Sequence, residues 1–324
     1  MTTTPQTHLT MLHARRENPR RLDRDTTYRR SKAGAVPLKR VDAARHTAIG
    51  HHLADVLYTE DKFGVTLTAS NGRILHRETI EHPAGHPSRD QLSGHSLTYV
   101  LDGADFHTAM RNLRGDSSVR FYRRDKPDRR DPVIELHQGT RHYGDIHVVG
   151  QTYPDIEYGF KYRPLDYAVD LNPAGLDHDG FYQLARTMAA DRIHGKNHTG
   201  LSHGFVQITA GYLSVHYYDD LGEIQAHRIE LQAPKSVTKA LSQRSKPVYL
   251  EIQTNDLINA FLAADSGTRL FFTENNEPLH VVNKNSHSVV QSVPAGLRTA
   301  SQLPVQVSNS QAALRRRSER DAQL

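Results

Sequence analysis

The chain has no cysteine. That excludes disulfides, thiolate metal centres and a cysteine nucleophile, and makes a reducing cytoplasm the simplest setting. It also has no apolar run approaching the roughly 20 residues that cross a bilayer, and Met1–Thr10 lacks the apolar core of a secretory signal. A soluble intracellular protein without membrane association is therefore expected, and the Asn197-His198-Thr199 sequon is read as accidental. Hydrophobic residues make up 37% of the chain and mean hydropathy is −0.64, so part of the length is expected to lie outside any core.

Catalytic signatures are scarce too. There is no glycine-rich phosphate loop followed by lysine, no Gly-x-Ser-x-Gly elbow and no His-Glu-x-x-His. The 21 histidines offer His51-His52 and His142 with His147 as their nearest pairs, without a ligand set that includes carboxylates. Scattered surface histidine is the expectation, and no metal or cofactor is assigned. Asp219-Asp220 with Glu223 fits either a divalent-ion site or a hairpin turn.

What the sequence does contain is length, basic charge and a repeated pattern. With 324 residues it can bury at least one sizeable core and has room for two. A net charge of +5 and a pI near 9.3 favour an anionic partner. Residues 1–36 carry Arg15, Arg16, Arg20, Arg21, Arg24, Arg29, Arg30 and Lys32 and few periodic apolar residues. They read as a disordered solvated tail or as a basic arm that touches phosphates. The chain is polar again after Leu297, through Arg315-Arg316-Arg317, so 298–324 is expected to be a second disordered basic tail.

Between the tails, Val41, Ala44 and Ile49 are too sparse to assign. Leu53, Val56, Leu57 and Tyr58 lead into an alternating strand at Val65–Thr68, and Asn71-Gly72 before Ile74-Leu75 signals a hairpin because both residues tolerate positive φ. Pro83, Gly85 and Pro87 mark a loop. A strand at Leu97–Leu101 precedes a helix with Phe106, Met110 and Leu113 at i, i+4 and i+7. Strands at Val119–Tyr122, Val133–His137 and Asp145–Val149 follow.

The same order recurs from Val248 to Leu297: a strand, a helix with Leu257, Phe261 and Ala264 on one face, a turn at Asp265–Gly267, then strands at Arg269–Phe272, Leu279–Val282 and Ser288–Gln291. Phe106 lies thirteen residues before Val119, and Leu257 thirteen before Leu270. The earlier halves correspond as well: Phe205–Ile208, Tyr212–His216 and Ile224–Leu231 form a meander like residues 53–80, preceded by a helix over His178–Ala190. This points to a tandem duplication of one α+β domain type. The boundaries are 1–36 arm, 37–151 first domain, 152–165 linker, 166–297 second domain and 298–324 tail.

At four places the sequence resembles the bacterial DNA polymerase sliding clamp, the beta subunit of the replicative polymerase. These are His51–Tyr58; Ala69-Ser70-Asn71-Gly72-Arg73-Ile74-Leu75, similar to the family's Ala-Thr-Asp-Gly-His-Arg-Leu turn; Gln151-Thr152-Tyr153-Pro154-Asp155-Ile156; and Glu277–Val281 with Val293–Leu297. The resemblance covers about Leu53 to Leu297. It implies tandem clamp-type domains, each with antiparallel sheets outside and two helices inside. It also implies a non-enzymatic processivity factor that encircles duplex DNA and tethers a DNA polymerase.

The family closes a ring of six domains from subunits of three. Two domains per chain therefore imply a homotrimer in preference to a dimer, as in reduced or phage-encoded clamps, acting at the nucleoid or in a host cytoplasm. Helices facing DNA implicate Arg111, Arg114, Arg186, Arg192, Lys196, Lys239, Arg244 and Lys246 in sequence-independent phosphate contacts, although the helix with Asn259 is not basic. A partner-peptide pocket for polymerase and clamp-loader tails would combine Leu53, Ser70, Gly72, Arg73, Leu75 and Pro154 with Pro278, Val293, Pro294 and Leu297. Where the family has Met-Pro-Met this chain has Val293-Pro294-Ala295, and Ile74 replaces the turn's arginine, so a shallower or differently selective pocket follows. The alternatives are a metal-dependent nuclease using Asp219 and Asp220, and a monomeric clamp-like module that only binds a partner.

Overall fold

The computed structural model describes residues 12–14, 35–45, 52–82, 94–113, 119–124, 133–138, 141–160, 167–170, 184–189, 203–218, 224–230, 239–262, 264, 268–273 and 277–293. Residues 1–161 with 285–287 form one unit, and residues 162–284 with 288–324 form another. Several expectations lie outside the described residues: the loop at Pro83–Pro87, Arg114, Arg192, Lys196, the sequon at Asn197, Asp219, Asp220, Glu223, the turn at Asp265–Gly267, and everything from Pro294 onward. Among the described residues no helix is long and apolar enough to cross a membrane.

In the first unit, β1 (Leu12–Ala14) is followed by α1 (Ala35–Ala44) and then by β2 (Val56–Glu60), β3 (Gly64–Ser70), β4 (Ile74–Glu81) and β5 (Leu97–Leu101). Helix α2 (Gly103–Asn112) leads into β6 (Val119–Arg124), β7 (Val133–Gln138) and β8 (Arg141–Val149), and a short α3 (Glu157–Phe160) closes the unit. The strands run antiparallel in the order β1-β6-β7-β8-β5-β2-β3-β4. Strand β1 falls in the stretch expected to be a disordered arm; it pairs with β6, Leu12 opposite Phe121.

Helix α1 was not legible in the sequence. Its apolar residues Leu38, Val41 and Ala44 are fully buried, but they are few and stand among Lys39, Arg40 and Asp42. Pro37 lies in the first turn, where a missing N–H leaves no helical bond unmade.

Local chemistry accounts for the best-defined elements. Seven residue pairs zip β3 to β4, from Gly64–Glu81 to Ser70–Leu75. At their turn Gly72 has φ +88°, and the Asn71 side-chain oxygen accepts from the Arg73 and Ile74 amides, both at 2.9 Å. Helix α2 starts at Asp102, whose carboxylate accepts from the amides of Ala104 and Asp105 at 2.9 Å, an N-cap worth about 1 kcal/mol. Phe106, Ala109 and Met110 form its buried stripe, and the chain leaves the helix at Leu113, which is extended and itself buried. The two helices pack on one face of the sheet, over Val56, Tyr58, Val65, Leu67, Ile74 and Phe121. Asp42 of α1 binds the His107 ring of α2 at 2.8 Å, and Arg40 reaches the buried Glu78 of β4 at 3.1 Å.

The second unit repeats the order. It contains β9 (Tyr167–Asp170), helical residues 184–189 that we label α4, β10 (His203–Ile208), β11 (Tyr212–Tyr218), β12 (Ile224–Glu230) and α5 (Lys239–Ser242). Then come β13 (Val248–Gln253), α6 (Thr254–Leu262), β14 (Arg269–Phe272), β15 (Leu279–Val282), β16 (Ser286–Val290) and β17 (Ser292–Val293). One sheet runs β12-β11-β10-β13-β17, and the other strands follow β16-β15-β14-β9. Leu184, Ala185 and Met188 are buried, as are Leu257 and Phe261 of α6 and Ala264 just past its end. Strand, helix and three strands thus occur twice in each unit, as expected of a clamp-type α+β fold.

Gly103 tests this account of α2. A Cβ there would lie 1.7 Å from the Ala54 carbonyl oxygen. Gly→Ala near a helix start ordinarily favours the helix by up to about 1 kcal/mol. Here Gly103→Ala is expected to lower stability by about 1–3 kcal/mol in urea denaturation, and a variant at least as stable as the parent would show that α2 does not sit against Ala54.

Candidate partner groove and helix faces

Of the six pocket residues expected in the first unit, Leu53 lies in the single helical turn before β2, four lie on the β3–β4 hairpin and Pro154 lies in the segment after β8. The Ser70 hydroxyl accepts from the Gly72 amide at 3.0 Å, which fixes the turn. Gly72 and Arg73 are exposed, and half-buried Leu53 lies where a methyl on Gly72 would be 3.8 Å from its Cδ1. Leu75, opposite Ser70 in the ladder, points toward α3: a Cβ on Gly159 would meet Leu75 Cδ1, so a larger residue there would have to displace the leucine tip. Arg77 holds α3 in place. Its guanidinium sits 4.1 Å above the Phe160 ring and pairs with Glu157.

Residues 150–157 also wall a cleft of about 600 Å³, together with Leu57, Thr98, Tyr99, Val100, Val148 and Val149. Of the expected pocket residues only Pro154 lines it. Tyr153 joins the cleft to the hairpin: it lines the cleft, and its buried hydroxyl responds to the Ser70 backbone amide and the Asp55 carboxylate. No hydrogen bond of full geometry forms at that hydroxyl among the described residues. Burial, reinforced by the Asp55 charge, raises the phenol well above its ordinary pKa, against a smaller lowering by the Ser70 amide.

The sequence did offer a signal for this cleft. Val56-Leu57-Tyr58 and Val148-Val149 are consecutive apolar residues, a pattern that marks strands covered on both faces.

Asp55 anchors the segment. Only 8% exposed, it accepts from the Gly103 amide at 2.9 Å with one oxygen, and the Gln151 side-chain amide donates to the other. Burial pushes its pKa above the ordinary carboxylate value and Asp102 adds to the rise; the bonds from Gly103 and Gln151 and the charge of Arg45 pull the other way.

In the second unit Pro278 is half-buried and Val293 belongs to β17, paired with Glu251; Pro294 and Leu297 are outside the described residues.

The basic residues fall into distinct settings. Arg111 is exposed in the last turn of α2, and Arg186 is exposed on α4. Lys239 opens α5 and Lys246 is exposed beyond it. Arg244 is engaged within its unit: it donates to the Tyr167 hydroxyl at 2.9 Å and to the Lys246 carbonyl at 3.0 Å. Helix α6 turns Asn255 and Asn259 toward its less buried side and no basic residue.

His142 lies 2.8 Å from Asp145 and His147 2.7 Å from Asp105, whereas His76, His82, His216 and His280 are buried rather than on the surface as expected. Among the described residues no group of three or more His, Cys, Asp or Glu is placed to hold a metal ion.

No protein-family model matches this sequence, and no curated protein does. Solved structures do match. The chain is similar to the DNA polymerase III subunit beta of Pseudomonas aeruginosa, with 15% identity, a TM-score of 0.54, and coverage of 80% of this chain and 63% of that one. The Bacillus subtilis DNA polymerase sliding clamp matches with 9% identity and TM-score 0.59, covering 92% and 66%. The Helicobacter pylori beta clamp bound to a DNA ligase peptide matches with 10% identity and TM-score 0.56, covering 90% and 68%. The chain therefore spans about 63% of the Pseudomonas subunit. These likenesses establish the DNA clamp fold.

The Asp55 arrangement makes a test with two variants. In Asp55→Asn the side-chain oxygen still accepts from Gly103, and a flipped Gln151 amide accepts from the new NH₂, so both bonds survive without the buried charge. Asp55→Ala leaves the buried Gly103 amide unpaired and should cost about 1–3 kcal/mol. Because the folded-state pKa of Asp55 is raised, the folded protein binds its proton more tightly than the unfolded chain, and this group adds stability as pH falls through that value. Denaturation of the parent at falling pH should show that gain relative to Asp55→Asn, which lacks the titration. An asparagine variant as unstable as the alanine one would show that the charge itself is required.

Proposed function

We propose that this chain is a subunit of a DNA sliding clamp, a non-catalytic processivity factor that encircles duplex DNA and tethers a replicative DNA polymerase. The observation that carries the reading is the clamp fold over 80–92% of the chain, with the strand–helix–three-strand order occurring twice in each unit.

A ring of six such units needs three copies of a chain that supplies two, joined head to tail about a threefold axis. The exposed Arg111, Arg186 and Lys246, with Arg114, Arg192, Lys196 and Lys239, would meet phosphates without regard to sequence, so binding would weaken with salt. Arg244 would contribute as a cation held in place by Tyr167.

In the first unit, Leu53, Ser70, Gly72, Arg73, Leu75 and Pro154 would capture apolar anchors from polymerase and clamp-loader tails. That the Helicobacter neighbour is bound to a DNA ligase peptide supports a peptide-binding role. Tethering works through effective concentration: a polymerase that releases the primer end stays close enough to rebind.

Native mass spectrometry tests the assembly. Three copies of a 36.5 kDa chain should run at about 110 kDa, and a strictly monomeric protein at micromolar concentration would contradict the ring.

A further inference from the structure

The cleft beside the groove opens where two strands part. Strand β5 pairs with β2 over five residues, from Leu97–Glu60 to Leu101–Val56. With β8 it pairs over only two, Val100–Val149 and Leu101–Val148. Past that fork β8 has ended, Gly150 and Gln151 are exposed, and residues 152–156 follow no regular element. Leu97 and Thr98 thus have a ladder neighbour in β2 and none on the opposite side among the described residues.

A sheet edge beside an apolar wall is the geometry that accepts an added strand, with main-chain bonds giving affinity and alternate side chains giving selectivity. The wall here is made by Leu57, Val148, Val149, Tyr153, Pro154 and Ile156. Charge sets the second requirement, because the lining holds Asp155 and Glu157 and no lysine, arginine or histidine. Glu157 is satisfied by Arg77, whereas Asp155 is exposed and uses one oxygen to cap the Glu157 amide at 3.1 Å.

We propose that this cleft is a second partner-binding site, which shares only Pro154 with the hairpin groove and takes an extended polypeptide segment of a partner protein with apolar residues at alternate positions and a lysine or arginine at the Asp155 end. The segment adds beside Leu97 and Thr98, seats its apolar side chains against Val149, Tyr153 and Ile156, and brings its cation to the Asp155 carboxylate. This holds whether or not the assembly encircles DNA.

Fluorescence anisotropy with two short synthetic peptides tests it on the full chain. Both alternate leucine and valine with threonine; one ends in two lysines and the other in two glutamates. The lysine peptide should bind roughly fivefold tighter at low salt, and the gap should close as salt screens it. Asp155→Asn keeps the cap and loses the charge, so it should remove most of the gap with the fold intact. Val149→Glu should abolish binding of both peptides, with thermal unfolding checked in parallel.

Equal binding of both peptides to the parent, or affinities unchanged in Asp155→Asn, would overturn the proposal. So would preferential binding of a peptide with the sequence of residues 302–317, or self-association lost on Asp155→Asn, since either would assign the cleft to another copy of this chain.

Discussion

The first unit is built around one buried carboxylate. Asp55 stands where the chain enters β2, and it accepts the first amide of α2 from Gly103 while Gln151 donates to its second oxygen. The fit is close because Gly103 has no Cβ to strike the Ala54 carbonyl. Removing a charge from water is unfavourable, as the raised pKa shows, and directed donors at both oxygens offset that cost. One anion therefore sets the position of a strand, a helix and the segment that walls the cleft. Arg45 adds a longer contact to the Ala54 carbonyl at 3.5 Å. Tyr153, beside Asp55, is held within the same cluster.

From that anchor the rest of the unit follows as layers. Two helices cover one face of an antiparallel sheet, with Asp42 and His107 joining them, while residues 151–160 lie on the other side around Leu75, Arg77 and Tyr153. The second unit reuses the element order with different chemistry: α6 offers asparagines where α2 offers Arg111. Backbone likeness at 9–15% identity is a likeness of fold between chains whose side chains mostly differ. Any contact with DNA or a partner must therefore be read from this chain's own residues. Arg244 illustrates the point, since it is basic in the sequence but already bonded to Tyr167.

Much of the fold was legible because its determinants are local. Asn71 and Gly72 specify their hairpin within four residues, and Phe106 with Met110, or Leu257 with Phe261, specify a helix face within two turns. Helix α1 was not legible: Leu38, Val41 and Ala44 are buried by strands far along the chain, and that burial leaves no periodic trace in a short basic stretch. The hairpin was legible through one turn motif, whereas the cleft was missed because it depends on β5 and β8 parting beyond the Val100–Val149 pair. Such a fork belongs to the sheet and to no single segment. Asp55 and Gln151 escaped for the same reason, being partners 96 positions apart.

Encirclement is a matter of topology, which ordinary affinity does not report. The direct measurement compares retention on a nicked circular plasmid with retention on the same plasmid after linearisation, at a salt concentration that breaks phosphate contacts. A ring threaded by DNA stays with the circle through gel filtration and slides off once an end is cut. Release from both forms, or equal retention on both, would contradict the account.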